Sequence, residues 1–424
     1  MAAPPRSESP RMPSAPLLSI DHRHAARADW LDALRGSALF GILVVNVQVF
    51  SGDAFREPLQ ALGLSARGAS ALDARLHDLV AVLVQGKFYA LFSFLFGLGV
   101  ALQLQRALVD GRPGRALLAR RLGWLLAIGL AHGVLLWFGD ILVTYAVLGF
   151  GLLAFARLSQ RALLASALAF LAAPSVLYGV LFALGVDNPM APPRDVPLAQ
   201  TPLGRALAAI VGGGYVDVVR EQVMFVPGGW VRRATQMMLP RIFGMFLLGM
   251  WAARAGLPEL RHAVRPMLGR WLACGVTLGL AANIGYVALG GSESLLPYNA
   301  RGWLAMTLTS IGVPLLALAY VAAFALWWPT RDTRGALLVA AGRTALSQYL
   351  GQSALCVVLF YGWGFGLFGT LGYGAALLVA VGVYAVLALA GRAWLARYAQ
   401  GPAEAAWRWL ARPRRDALRT DFAT

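Results

Sequence analysis

Residues 129–146, GLAHGVLLWFGDILVTYA, decide how this chain is read. The run is apolar almost throughout, yet it holds a histidine (His132) and an acid (Asp140), and Phe138-Gly139-Asp140 interrupts it between two hydrophobic stretches. Hydrocarbon tolerates an ionisable side chain mainly where that side chain faces a bundle interior or a wet cavity. The stretch therefore reads as two membrane helices with chemistry between them.

The rest of the chain fits that reading. Of 424 residues, 58% are hydrophobic and only 13% charged, against about a quarter charged in an ordinary soluble domain. Apolar runs near the roughly 20-residue length needed to cross a bilayer recur along the chain. Ten spans are expected, at 33–51, 88–105, 117–138, 141–156, 162–185, 237–254, 267–289, 303–327, 337–361 and 371–396. The expected fold is all-α, a polytopic transmembrane helical bundle filling 29–398. Residues 1–28, rich in Pro, Ser, Ala and Arg, read as a disordered tail, and 399–424 as a basic tail. The amphipathic segment 72–84 is expected at the membrane interface. Residues 186–236, with Pro189, Pro192, Pro193 and Pro197, form the longest connection and are expected to carry short surface helices.

The net charge is +17. If both termini are cytoplasmic and ten spans alternate, most arginines fall on the inner side: Arg6 to Arg35, Arg106 to Arg121, Arg254 to Arg270, and the C-terminal tail. The basic excess is thus a topology signal. It suits anionic lipid heads and an anionic cytoplasmic ligand, and dedicated nucleic-acid binding is not expected. Cys274 and Cys356 sit in apolar runs, and no CxxC, HExxH or Walker pattern occurs, so neither a disulfide nor a metal is expected.

Helical rise of about 1.5 Å per residue turns position into depth. Asn46, His132, Asn283 and Gln352, on four different spans, come out roughly 20–24 Å from the inner ends of their helices. Lys87, Tyr89 and Ser93 at the start of the second span, and Arg241 just after Pro240, approach the same layer from the other side, with Asp140 at its rim. Amides often serve only as interhelical hydrogen bonds, so Asn46, Asn283 and Gln352 carry that structural reading beside a functional one. His132 can pass protons near neutrality, and Asp140 can orient an imidazole or instead pair with Arg241 or Lys87. At the inner end, Asp32 and Arg35 are spaced to pair on one helix face. Arg35 is either a membrane-face anchor or, with Arg120 and Arg121, a grip for phosphate.

LDALRGSALFGILVVNV (31–47), GKFYALFSFLFGLG (86–99), GLAHGVLLWFGDILVTYAVLG (129–149), GRTALSQYLGQS (342–353) and GPAEAAWRWL (401–410) occur in that order. Together they resemble the YeiB-like family of bacterial multi-pass membrane proteins, a domain of unknown function, over residues 27–412. The family usually has a bulky apolar residue where Ala405 stands. Through the Leu34-Arg35-Gly36 start and the general layout, the family is similar to the transmembrane acyltransferase superfamily. That similarity implies an enzyme of the bacterial inner membrane that takes an acyl group from cytosolic acyl-CoA and hands it to a cell-envelope or small-molecule acceptor, with an intramembrane histidine implicated. On this reading His132, Asp140 and Asn46 are the catalytic candidates, and Arg35, Arg120 and Arg121 meet the acyl-CoA. Lys87, Arg241, Asn283, Tyr349 and Gln352 line the acceptor site. The partners expected are membrane lipid and, in a homo-oligomer, a second copy of the chain. A transporter or flippase for a small or lipid-linked anion is the competing expectation, and a structural factor without turnover is a third.

Overall fold

The structure, a computed structural model, describes residues 18–64, 70–186, 196–257, 263–291, 298–328 and 335–412, with only the backbone course given for 18–28, 225–227, 230–232 and 235. Among these residues every regular element is helical. The elements are α1 (Leu18–Phe50), α2 (Arg56–Ala61), α3 (Ala71–Leu83), α4 (Lys87–Val109), α5 (Gly114–Leu135), α6 (Leu142–Phe155), α7 (Gln160–Ala183) and α8 (Pro202–Gly212). They continue with α9 (Tyr215–Thr235), α10 (Met238–Arg254), α11 (Arg265–Ala288), α12 (Ala300–Trp327), α13 (Ala336–Arg343), α14 (Ala345–Phe360), α15 (Tyr373–Leu395) and α16 (Pro402–Leu410).

Each expected span coincides with a helix, and the ninth with the pair α13 and α14. Among the described residues, seven helical stretches are long and apolar enough to cross a membrane, while α6 and α14 are apolar but shorter. The protein is a polytopic helical membrane bundle. The ninth span breaks at Thr344, where the backbone leaves the helical region and the side-chain hydroxyl donates to the Ala340 carbonyl at 2.8 Å. Glu404, from the last helix, then supplies what the new helix start lacks. Its carboxylate accepts from the Leu346 N–H at 2.6 Å, the Ser347 N–H at 3.2 Å and the Ser347 hydroxyl at 2.6 Å. A carboxylate suits the first turn because the N–H groups there have no intrahelical partner and the helix dipole favours negative charge.

Three expected boundaries shift. The tail expected over 1–28 has its residues 1–17 outside the described residues, and 18–28 already continue α1; their alanines favour helix once Pro16 is passed. The basic tail from 399 begins with the docked helix α16, whose Trp407 donates to the Arg121 carbonyl at 2.9 Å, while 413–424 lie outside the described residues. In the 186–236 connection, Pro189, Pro192 and Pro193 lie outside the described residues; α8, of 11 residues, is a short helix as expected, while α9 is longer, at 21 residues. With α8 it covers one end of the bundle, burying Leu207, Ile210 and Val218 against Phe50, Trp137 and Tyr361.

Small residues set the closest helix crossings, as expected where lipid gives helices no hydrophobic reason to associate. Gly97 of α4 lies against the Phe246 carbonyl of α10, and Gly249 of α10 against the Phe94 carbonyl of α4, leaving no room for a Cβ at either. Gly36 of α1 meets the Leu338 carbonyl, and Gly342 meets the Asp32 carbonyl, in the same manner. One large core surrounds the α4–α10 crossing, with Phe94, Tyr145, Phe243 and Phe246; a second joins α1, α14 and α15 through Leu43, Val47, Phe50 and Phe360.

Candidate functional site

The break in residues 136–141 builds the site. Measured along a continuous helix, His132 and Asp140 would be about 12 Å apart and turned away from each other. Helix α5 stops at Leu135, the chain doubles back, and α6 starts at Leu142, close against Gly129, where a side chain would strike the Val143 nitrogen. The result is direct contact: His132 Nδ1–H donates to Asp140 Oδ1 at 2.9 Å. The second carboxylate oxygen accepts from the Val143 N–H at 2.8 Å, in the first turn of α6. Both side chains are buried, at 2% and 4% exposure. The other imidazole nitrogen, Nε2, is buried without a hydrogen-bond partner.

Tyr349 of α14 stands beside this pair, its ring 5.0 Å from the imidazole. Its hydroxyl oxygen accepts from the Ile141 N–H at 3.2 Å, so its own proton is available to another acceptor. Arg233, at the end of α9, donates to the Asp140 backbone carbonyl. Of the two alternatives for Asp140, the chain adopts the contact with the imidazole and not a pairing with Arg241 or Lys87. Arg241 donates to the Tyr89 hydroxyl at 3.0 Å, and Lys87 Nζ, 1% exposed, donates to the Ala81 carbonyl at 2.8 Å.

A cavity of about 320 Å³ opens next to the pair, lined among others by Asn46, Tyr89, Arg233, Arg241, Tyr286 and Tyr349, with Gly139 and Ile141 from the break itself. Apolar side chains such as Ile42, Val45, Phe88 and Met306 form much of its wall. It lies at the end of the bundle where α1 finishes and α4 and α10 begin. Met237 turns the chain from α9 into α10 with φ of 53°, a left-handed conformation rare outside glycine. That sharp turn brings Arg233 and Arg241 to one cavity.

The expected polar layer therefore gathers only in part. Asn46, Tyr349 and Arg241 line the cavity, and His132 and Asp140 stand behind its wall. Asn283 is fully buried with its Nδ2 donating to the Gly279 carbonyl at 2.7 Å, packed under Gly312; its Oδ1 has no partner. Gln352 is buried one turn beyond Tyr349 and its Nε2 is unpartnered. Neither lines the cavity. Arg35, Arg120 and Arg121 lie at the opposite end: Arg35 pairs with Asp32, Arg120 donates to the Arg412 carbonyl, and Arg121 to Gln103. Arg233 was not legible as a site residue, since a cation just ahead of a membrane helix reads equally well as a rim charge. Tyr286, a turn after Asn283, carried no sequence signal at all.

Comparison with known proteins agrees with the motifs. Residues 252–414 match the family described as Protein of unknown function (DUF418). The chain is 31% identical over 389 residues to the uncharacterized protein YxaH of Bacillus subtilis, covering 89% of this chain and 92% of that one. It is 29% identical over 392 residues to the uncharacterized protein YeiB of Escherichia coli, covering 90% and 95%. With the five ordered motifs and the helical bundle, the protein belongs to the YeiB-like, DUF418 family of multi-pass membrane proteins.

Proposed function

We propose that the protein is an integral membrane acyltransferase that moves an acyl group from cytosolic acyl-CoA to an acceptor at the far face of the bilayer. The observation that carries this reading is the buried His132–Asp140 pair, its Nε2 without a hydrogen-bond partner, set behind a cavity wall that Gly139, Ile141 and Tyr349 help to form. An imidazole whose Nδ1–H is held by a carboxylate presents Nε2 as a base, and the carboxylate stabilises the imidazolium formed when that base takes a proton. In the reaction, the acceptor hydroxyl or amine gives its proton to Nε2 as it attacks the thioester carbonyl. The new acyl bond forms, the C–S bond breaks, and the departing CoA thiolate takes the proton back from the imidazolium. The Tyr349 hydroxyl and the Asn46 amide supply donors for the oxyanion that develops on the carbonyl.

The basic end of the bundle, with Arg35, Arg120, Arg121, Arg343 and Arg408, faces the cytosol in this account, as Arg-rich loops do. The pantetheine arm reaches the cavity through the bundle. A transporter would use the same cavity, and the break at 136–141 resembles the interrupted helices of such proteins. The two readings separate in one assay. Purified protein is given acetyl-CoA and cell-envelope extract, and thiol release is followed together with label transfer. Transfer requires both signals in the wild type and neither in His132→Ala. Vesicle uptake of an anion that is indifferent to CoA and to His132 would favour transport and end the transferase reading.

A further inference from the structure

The cavity wall is cationic without an answering acid. Arg233 and Arg241 both line it, at 8% and 7% exposure, and no Asp or Glu lines it among the described residues. Asp140 has its carboxylate hydrogen-bonded to His132 and the Val143 N–H, and it accepts from Arg233 through its backbone carbonyl, so its charge acts on Arg233 without a direct ion pair. Among the described residues Arg241 meets neutral partners alone: the Tyr89 hydroxyl at 3.0 Å and the Met306 sulfur at 3.5 Å, with its buried Nε unpartnered. Lys87 adds a third buried basic group nearby, its Nζ donating to a carbonyl. A buried charge without a counter-charge is among the costliest arrangements a fold can carry, and a guanidinium is shaped to take two oxygens of a planar or tetrahedral oxyanion.

We infer that Arg241 and Arg233 form an oxyanion site that binds a phosphoryl group, and that the apolar wall around it receives the chain to which that group is attached. The Ile42, Val45, Phe88, Val313 and Met306 side chains make the remainder of the cavity unsuited to a bare, fully hydrated ion. The site thus selects a phosphate carried on an amphiphile, a lipid headgroup being one source and free phosphate the other. In the transferase reading this names the acceptor class, and to that extent the inference rests on that reading; binding itself does not.

The test uses full-length protein, delipidated in neutral detergent, with thermal unfolding followed by tryptophan fluorescence. Dioleoyl phosphatidic acid and inorganic phosphate are titrated separately, with dioleoylglycerol as the uncharged control. The expected result is a saturable rise in Tm with phosphatidic acid, a weaker one with phosphate, and none with dioleoylglycerol. Arg241→Gln should raise the half-saturating concentration about tenfold or more, as loss of a charge-assisted contact does, while Arg241→Lys keeps part of the response. Without ligand, R241Q should unfold no earlier than wild type, because an uncompensated buried charge has been removed. A larger response to phosphate than to phosphatidic acid assigns the site to the free ion. Unchanged titrations in R241Q, or no shift with either anion in the wild type, overturn the inference. If R241Q does not yield folded protein, Arg233→Gln and the wild-type titrations decide by the same criteria. Anion binding without thioester cleavage would end the transferase reading alone, and cleavage with R241Q-insensitive binding would end this inference alone.

Discussion

His132 has two nitrogens in different surroundings, one held by Asp140 and the other buried without a hydrogen-bond partner. That asymmetry gives Asp140 a role distinct from that of the base. Asp140→Asn keeps the shape but withdraws the charge that stabilises the imidazolium, so kcat should fall by roughly 10²–10⁴-fold with the KM for acyl-CoA little changed. A matching fall in acyl-CoA binding would mean that Asp140 serves packing instead. Tyr349→Phe removes the oxygen that accepts from Ile141 N–H; it should lose about tenfold in kcat and about 1 kcal/mol in stability, the worth of one buried hydrogen bond. At this scale the sequence revealed the identity of the pair but not its contact. His132 and Asp140 stand out because ionisable groups are rare in apolar runs. Whether they touch depended on how the chain folds back through Phe138-Gly139, which spacing along a helix does not determine. Asn283 and Gln352 share the predicted depth and still face helix neighbours rather than the cavity, since depth fixes height along a helix and not the direction a side chain takes around it.

Among the elements, α16 and the α13–α14 break depend on each other. Glu404 closes the start of α14, and Trp407 ties α16 to the Arg121 carbonyl. Glu404→Ala should lower stability by about 1–2 kcal/mol, as loss of a helix cap does, and should expose the chain beyond residue 400 to protease before the bundle unfolds. Cleavage unchanged from wild type would show that α16 is held by other contacts. The glycine crossings are less forgiving. A methyl at Gly342 meets the Asp32 carbonyl, which cannot swing aside as a side chain can. Gly342→Ala should cost at least about 2 kcal/mol, in the range of overpacked cores, and wild-type melting of that variant would contradict the crossing. The GRTALSQYLGQS block was legible as a motif, yet it reads as one continuous apolar span. The helix break within it depends on a carboxylate more than fifty residues further on, which no local pattern reveals.

Over the whole molecule, hydropathy was sufficient for the bundle, because a chain in lipid must satisfy its backbone within helices. It was not sufficient for the cover at the cavity end, where α8 and α9 have the composition of surface helices and still deliver Arg233 to the site. The passes alternate between two unlike ends. One carries Arg35, Arg120, Arg121 and Arg343 with α16, and the other the cavity. Single cysteines at Arg112 and at Gly212, in a variant lacking Cys274 and Cys356, should react with an impermeant thiol reagent from opposite sides of sealed inverted vesicles, Arg112 being cytoplasmic. Reaction of both from one side would refute the alternating topology. The most direct test of the central claim is a cryo-electron microscopy structure of the full chain with a thioether analogue of acetyl-CoA, which cannot be cleaved. The nucleotide should lie at the arginine-rich end and the acyl carbonyl in the cavity, within reach of His132 Nε2 and the Tyr349 hydroxyl. An analogue bound elsewhere with the cavity unchanged, or none bound at saturating concentration, would contradict it.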